Sequence, residues 1–150
     1  MEVVTVRTEN IRCLRALALA CCVALVGAVS AQASPEALDT QLATAIQHAE
    51  FSMGADDHAA AQRHLGHVLN CIVGAEGEDF DAGWGHPCDG QGAGILNDAE
   101  AHPHHDDLAA VLNSLHGLAA EGVQAESLGA VRAAAAGVRA LLGVVADFGG

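Results

Sequence analysis

The stretch LGAVRAAAAGVRALLGVV, residues 128–145, decides the fold class because its apolar residues recur at alternating steps of three and four. These residues are Leu128, Val131, Ala135, Val138, Leu142 and Val145. Such spacing places the side chains on one stripe of an α-helix and is typical of left-handed helix bundles. The alanines at 133–136 leave room for a neighbouring helix to approach closely. The sequence therefore predicts a long helix, from about Val123 to Phe148, that packs in a bundle.

Three further helices are predicted upstream from capping residues and apolar periodicity. Their predicted starts are Ser34-Pro35-Glu36, Asp56-Asp57 and Asp106-Asp107. Their predicted ends are Gly54, Gly74 after Val73, and the pair Gly117 and Gly122. Short acidic or hydroxyl side chains satisfy the first amides of a helix, and glycine is the common residue after its last turn. We therefore predict an all-α fold, an antiparallel four-helix bundle.

Residues 74–103 form a long Gly/Asp-rich loop between predicted helices two and three. The segment contains Pro87 and Pro103 and shows no helical period. A loop of this length in a small domain usually either has a function or is restrained by a cross-link. Cys71 and Cys88 are the only cysteines after residue 33, and two cysteines in an oxidising compartment most simply form one disulfide. We predict that this disulfide pins the loop.

The first 33 residues are predicted to be a cleaved signal peptide. Three arginines precede an apolar run at 17–29, which ends in Ala31-Gln32-Ala33 before Ser34. A basic start, a short apolar core and an A-x-A ending define such a segment, and the run is short for a membrane span. A lipoprotein anchored at Cys21 or Cys22 is the alternative. The expectation is a periplasmic or secreted domain, residues 34–150, without a transmembrane span in the mature chain.

The charge of the chain excludes some partners. The formal net charge is −13 at pH 7, and removal of residues 1–33 makes it about −14 because three arginines and two glutamates are lost. A surface of this kind does not attract nucleic acid or anionic lipid. It suits cations, although acidity also simply keeps an exported protein in solution.

The segment HLGHVLNCIVG, residues 64–74, carries the first candidate site. On a helix, His64, His67 and Cys71 fall within about 60° of arc, on one flank of the apolar stripe. Two imidazoles one turn apart can hold one metal ion. If the chain reverses at Gly54, His48 on the preceding helix lies across from them. The alternative is a set of ordinary surface histidines.

A second candidate patch precedes the third predicted helix. His102, His104 and His105 stand within four positions, directly before two aspartates. Clustered histidines are typical of flexible metal chelation. The alternative is a solvated loop leading into a helix cap.

The sequence lacks the signals of several other classes. No C-x-x-C-H haem-attachment motif, nucleophile elbow or phosphate loop is present. Asp79-Phe80-Asp81 begins like a calcium loop, but Trp84 stands where the turn glycine belongs. We therefore expect a protein that is not an enzyme.

The leading hypothesis is an exported bundle that binds copper, zinc or nickel through His48, His64 and His67, for metal buffering, sensing or delivery. His102, His104 and His105 would form an accessory patch. One alternative is a structural or partner-binding module that uses loop 74–103, with Trp84 and Phe80 as anchors. Another is a b-type haem bundle with Met53 and the histidines as axial candidates.

Overall fold

The computed structural model describes residues 34–148 and is all-helical there, with four long helices and one short helix. The bounds are Pro35–Gly54 for α1, His58–Val73 for α2, Ile95–Ala99 for α3, His105–Val123 for α4 and Leu128–Phe148 for α5. The prediction of an all-α fold is confirmed. The predicted signal peptide, 1–33, lies outside the described residues.

The four long helices share one apolar core. Helix α1 packs against α2 and α5, α4 packs against the same two helices, and α3 contacts α1 and α2. The predicted seam of α5 is buried from Val131 to Val145, and Leu128 is half-buried. A Cβ added at Gly122 of α4 would lie 2.6 Å from Ala134 and 2.8 Å from Leu65. Close approach of α4 to α2 and α5 therefore depends on a residue without a side chain.

The caps of the first two helices form as predicted. Ser34 Oγ accepts a hydrogen bond from the Ala37 amide at 3.1 Å, and Asp57 Oδ1 accepts one from the Ala60 amide at 2.8 Å. The predicted cap of α4 is wrong, since this helix begins at His105 and its N-cap, His104, makes no capping hydrogen bond with its side chain. Asp106 and Asp107 lie instead in the first turn, where their charge favours the helix dipole.

The predicted end of α4 near Gly122 agrees with the structure to one residue, but the predicted start of the last helix at about Val123 is wrong. Helix α4 continues through Gly117 to Val123, and α5 begins only at Leu128, where Ser127 Oγ accepts from the Ala130 amide. A glycine inside a helix costs about 1 kcal/mol relative to alanine. Burial of Leu112, Leu115 and Ala119 on the same helix offsets that cost, so the helix continues.

The loop 74–103 contains the short helix α3, which the sequence pattern does not predict. Gln41 Nε2 on α1 donates a hydrogen bond to Asp98 Oδ2 on α3, and both residues are buried. The Gly94 amide donates to Gln41 Oε1 at 3.0 Å, and the Ala93 amide donates to Asp98 Oδ2 at 3.0 Å. This buried polar pair fixes α3 against α1, in addition to the burial of Ile95 and Ala99.

Among the described helices, Leu128–Phe148 is long and apolar enough to cross a membrane by length and composition. This finding qualifies the prediction that the mature chain has no transmembrane span. A core helix rich in alanine, valine and leucine has the same length and composition. One face of α5 is buried against α1 and α4.

Candidate metal centre

Three histidines from two helices converge at one point. His48 lies on α1, and His64 and His67 lie one turn apart on α2. His48 Nδ1 is 3.3 Å from His64 Nδ1 and 3.1 Å from His67 Nδ1. One ring nitrogen from each residue lies within 4.8 Å of the other two, and this is the one such group of three found in residues 34–148. The three histidines predicted as leading ligands are therefore brought together.

The spacing matches the one that a single metal ion would impose. Imidazole nitrogens bind zinc at about 2.0–2.1 Å, so two ligands of a tetrahedral ion lie roughly 3.3 Å apart. The two separations that involve His48, 3.3 and 3.1 Å, agree with that value, and the ligand atoms of His64 and His67 lie within 4.8 Å of each other. A hydrogen bond between neutral rings accounts for one of the two contacts, because His48 Nδ1 takes part in both and carries either one proton or one lone pair. The geometry shows a group that can hold a metal ion.

The hairpin between α1 and α2 brings the histidines into register. The chain reverses over residues 55–57, and Ser52 Oγ on α1 donates a buried hydrogen bond to the Ala61 carbonyl on α2 at 2.8 Å. Ala45, Ala49 and Ala61 are fully buried on these helices. Small side chains permit close helix packing, which places His48 within reach of both histidines on α2.

Aromatic and loop groups surround the three rings. The Phe51 ring centroid lies 5.5 Å from that of His48 and 5.3 Å from that of His64. On the other side, the Trp84 backbone hydrogen-bonds His67, and a Cβ added at Gly85 would lie 3.2 Å from His67 Nε2. A bond between a ligand histidine and a backbone group fixes the orientation of the ring. Nδ1 of His67 faces His48.

The pKa values of all three histidines are lowered from 6.5. Burial, followed by the neighbouring His67 and His64, lowers the pKa of His48 to about 4. Burial and then Arg63 lower the pKa of His64. Burial lowers the pKa of His67 as well, although its hydrogen bond with the Trp84 backbone acts in the opposite direction. The rings are therefore neutral near pH 7, which is the form that binds metal.

These shifts predict an acid-sensitive fold. In the unfolded chain His48 takes up a proton near pH 6.5, whereas in the folded chain it does so only near pH 4. The free energy of unfolding of the metal-free protein should therefore fall as the pH drops from 6.5 toward 4. We expect the free energy of unfolding to be about 1 kcal/mol lower at pH 5, because solvent screens these half-exposed rings and limits the effect of the pKa shifts.

Urea unfolding at pH 7.5 and pH 5 measures this loss. His48→Gln should reduce the pH dependence, to which His64 and His67 still contribute, while His102→Gln serves as the matched control and should leave it unchanged. A wild-type protein that is as stable at pH 5 as at pH 7.5 would contradict the expectation.

The accessory patch does not converge on one point. His105 Nδ1 hydrogen-bonds the Ala99 carbonyl at 3.1 Å, and His102 Nδ1 accepts from the His104 amide at 3.1 Å. His104 Nδ1 lies 3.6 Å from Asp107 Oδ2. The reason is local: His102 and His104 lie in the turn around Pro103, whereas His105 begins α4. The rings of His102 and His104 lie side by side, with centroids 5.7 Å apart, but within residues 34–148 the three histidines do not form a group whose ligand atoms all lie within 4.8 Å.

The disulfide Cys71–Cys88 is present, as predicted, with a Cα–Cα distance of 5.3 Å. Asn70, the residue before Cys71, fixes the loop further. Its Nδ2 donates to the carbonyls of Asp81 and Gly85, both at 2.7 Å, and its Oδ1 accepts from the Asp81 amide at 3.0 Å. The loop segment next to His67 is therefore tied to α2 both covalently and by hydrogen bonds.

The geometry bears on the two alternative functions, partner binding through the loop and haem binding. Trp84, a predicted partner anchor, packs against Gly66, where any added Cβ would overlap the indole, and Phe80 packs against the core. Both residues are half-buried, so part of each ring packs inside and part stays exposed. Separations of 3.1 and 3.3 Å between the histidine nitrogens leave no room for a haem plane between the rings.

Sequence reasoning missed the buried Gln41–Asp98 pair and the contribution of Phe51. Gln41 falls on the apolar stripe of α1, next to Leu38 and Leu42. A glutamine at a core position needs a buried hydrogen-bond partner, and this could have indicated the pair. Phe51 follows His48 by three positions, which is the spacing of neighbours on one helix face.

Comparisons of this chain with protein-family models, with curated proteins and with solved structures find no match. Its function must therefore be inferred from the geometry of the histidine group.

Proposed function

We propose that this chain is an exported four-helix-bundle protein that binds one transition metal ion through His48, His64 and His67. The convergence of three imidazole nitrogens from two helices, with separations of 3.1 and 3.3 Å, is the observation that carries the proposal. Two of the ligands come from one turn of α2, and the third joins them from α1. A bound ion would therefore cross-link the hairpin.

The chemistry of the donors limits the choice of metal. Imidazole nitrogens suit zinc, copper and nickel, whereas calcium and magnesium prefer oxygen. The net charge of −13 raises the local concentration of any cation. Metal buffering, sensing or delivery, rather than catalysis, is the role we propose. The signal-peptide pattern at 1–33 supports export to the periplasm or the cell exterior.

The test is direct metal titration of the untagged, exported protein. Metal-free protein at pH 7.5 is titrated with Zn²⁺, Cu²⁺ or Ni²⁺ against a competing chelator of known affinity, and bound metal is counted by elemental analysis. We expect one ion per chain. The double variant His64→Ala/His67→Ala should lose at least about 100-fold in affinity because two of three ligands are gone.

The matched control is His102→Ala/His104→Ala, which removes two histidines from the accessory patch. It should bind metal like the wild type. The proposal fails if the wild type binds no metal, or if the His64→Ala/His67→Ala variant binds with unchanged affinity.

A further inference from the structure

The histidine group supplies three of the donors that a metal ion needs. In residues 34–148 no fourth histidine, cysteine, aspartate or glutamate joins the group. Structural zinc sites are closed by four protein ligands, whereas a site with three keeps one position for an exogenous donor. An ion held by these three histidines would therefore have one coordination position to fill from outside this part of the chain.

The surroundings of the histidines leave one side accessible. The loop at Trp84 and Gly85 covers His67, and the core covers the inner faces of α1 and α2. At the hairpin end an open groove of about 440 Å³ runs beside the site. Its lining consists of Glu50, Phe51, Gly54, Ala55, Ala60 and His64. His64 thus belongs both to the histidine group and to the wall of the groove.

The lining of the groove selects the type of donor. Phe51 is 47% exposed and packs against two of the three histidines, so its ring offers a flat apolar surface next to the metal position. Gly54, Ala55 and Ala60 leave space opposite. Glu50 pairs with Arg139 at 3.0 Å. Burial and then the nearby Arg63 lower the pKa of His64, and a bound ion is itself positive. The apolar ring of Phe51, rather than charge, is therefore the feature that selects among donors. A flat, neutral nitrogen heterocycle fits these conditions because it can stack on an aromatic ring while it coordinates a metal.

We propose that the fourth coordination position faces this groove and is filled by a small, free nitrogen heterocycle of the imidazole type. The inference rests on the proposed metal site and names the class of ligand that the loaded site takes. The ligand would coordinate through one ring nitrogen and stack on Phe51, while the other edge of the ring remains in the open groove.

The test uses the full mature protein loaded with one Co²⁺ ion, whose visible spectrum reports a change of ligand. Titration with imidazole should shift the spectrum with saturation at one equivalent bound, and azide should bind at least tenfold more weakly. Ala60→Leu fills the groove from α2 and should weaken imidazole binding at least tenfold without changing the affinity for Co²⁺.

Two further variants keep the test sharp. Gly54→Leu fills the groove from α1, where an added Cβ meets no atom within 4 Å, and should act like Ala60→Leu. Ala133→Leu makes the same change at an exposed alanine on α5 and should leave imidazole binding unchanged. Equal imidazole affinity in all three variants, or a spectrum that does not respond to imidazole, overturns the inference while the metal site stands.

Glu50 is the one carboxylate in the groove lining, so it must be tested as a rival fourth ligand. Glu50→Gln should bind Co²⁺ like the wild type. Loss of Co²⁺ affinity in this variant would show that Glu50 closes the site and would overturn the inference. Failure of the wild type to bind Co²⁺, Zn²⁺, Cu²⁺ or Ni²⁺ would instead overturn the proposed function, on which the inference depends.

Discussion

Replacing His48 with alanine is expected to remove most of the stabilisation that a bound metal gives to the fold. A ligand that binds only the folded state stabilises it by about 4 kcal/mol when its free concentration is a thousand times its Kd. For a domain of this size that gain corresponds to a rise in melting temperature on the order of 10–15 °C. His48 is the only ligand on α1, and without it the ion no longer connects α1 to α2.

We expect His48→Ala to weaken metal binding at least 100-fold, which reduces the stabilisation at the same metal concentration to about 1.4 kcal/mol. The measurement is the melting temperature of wild type and variant with and without Zn²⁺, followed by circular dichroism. His116→Ala is the matched control, since His116 pairs with Asp79 on the surface and lies outside the group. An equal rise in melting temperature for His48→Ala and wild type would contradict the expectation.

Loss of the disulfide should have the second large effect. The two cysteines are 17 positions apart, and closing a loop of that size stabilises the folded state by about 3 kcal/mol in the chain-entropy model. The double variant Cys71→Ala/Cys88→Ala should therefore unfold about 3 kcal/mol more easily in urea. Alanine is chosen because both positions are fully buried, and serine would leave a hydroxyl without a partner.

The same variant should bind metal less tightly. The disulfide holds the loop whose Trp84 backbone hydrogen-bonds His67, and loss of such an orienting partner typically costs about tenfold or more in metal affinity. Reduction of the wild type with a phosphine, removed without exposure to air before metal is added, should reproduce both effects, and the same treatment should change nothing in the variant. Equal unfolding free energies for oxidised wild type and variant would contradict the prediction.

Most of the helical framework follows from local sequence signals. Ser34, Asp57 and Gly74 are placed as the predicted caps, because a cap depends on hydrogen bonds within a few residues. The helix bounds that the sequence does not predict correctly are those that depend on contacts between residues far apart in the chain. Gly117 looks like a helix end in the sequence, yet α4 continues to Val123, because burial of Leu115 and Ala119 in the core favours the helix. Helix α3 has too few residues to show a period, and it depends on Gln41 from another helix.

The leading site was predictable because its parts are local as well. His64 and His67 share a helix flank by spacing alone, and the turn after Gly54 brings His48 opposite them. The patch of His102, His104 and His105 shows the limit of such reasoning. Closeness in sequence suggested closeness in space, but the turn around Pro103 gives each ring a different partner.

Four residues within eight positions of α2 must each face a particular partner: the histidines at 64 and 67, the loop-binding Asn70 and the half-cystine at 71. Each residue added to or removed from a helix rotates the remainder of that helix by about 100°. A single insertion between 64 and 71 would therefore separate the histidines from the loop and the disulfide together. Gly90 lies exposed at a turn, with nothing within 4 Å of an added Cβ. Changes in chain length during evolution should therefore be far better tolerated near Gly90 than within this part of α2.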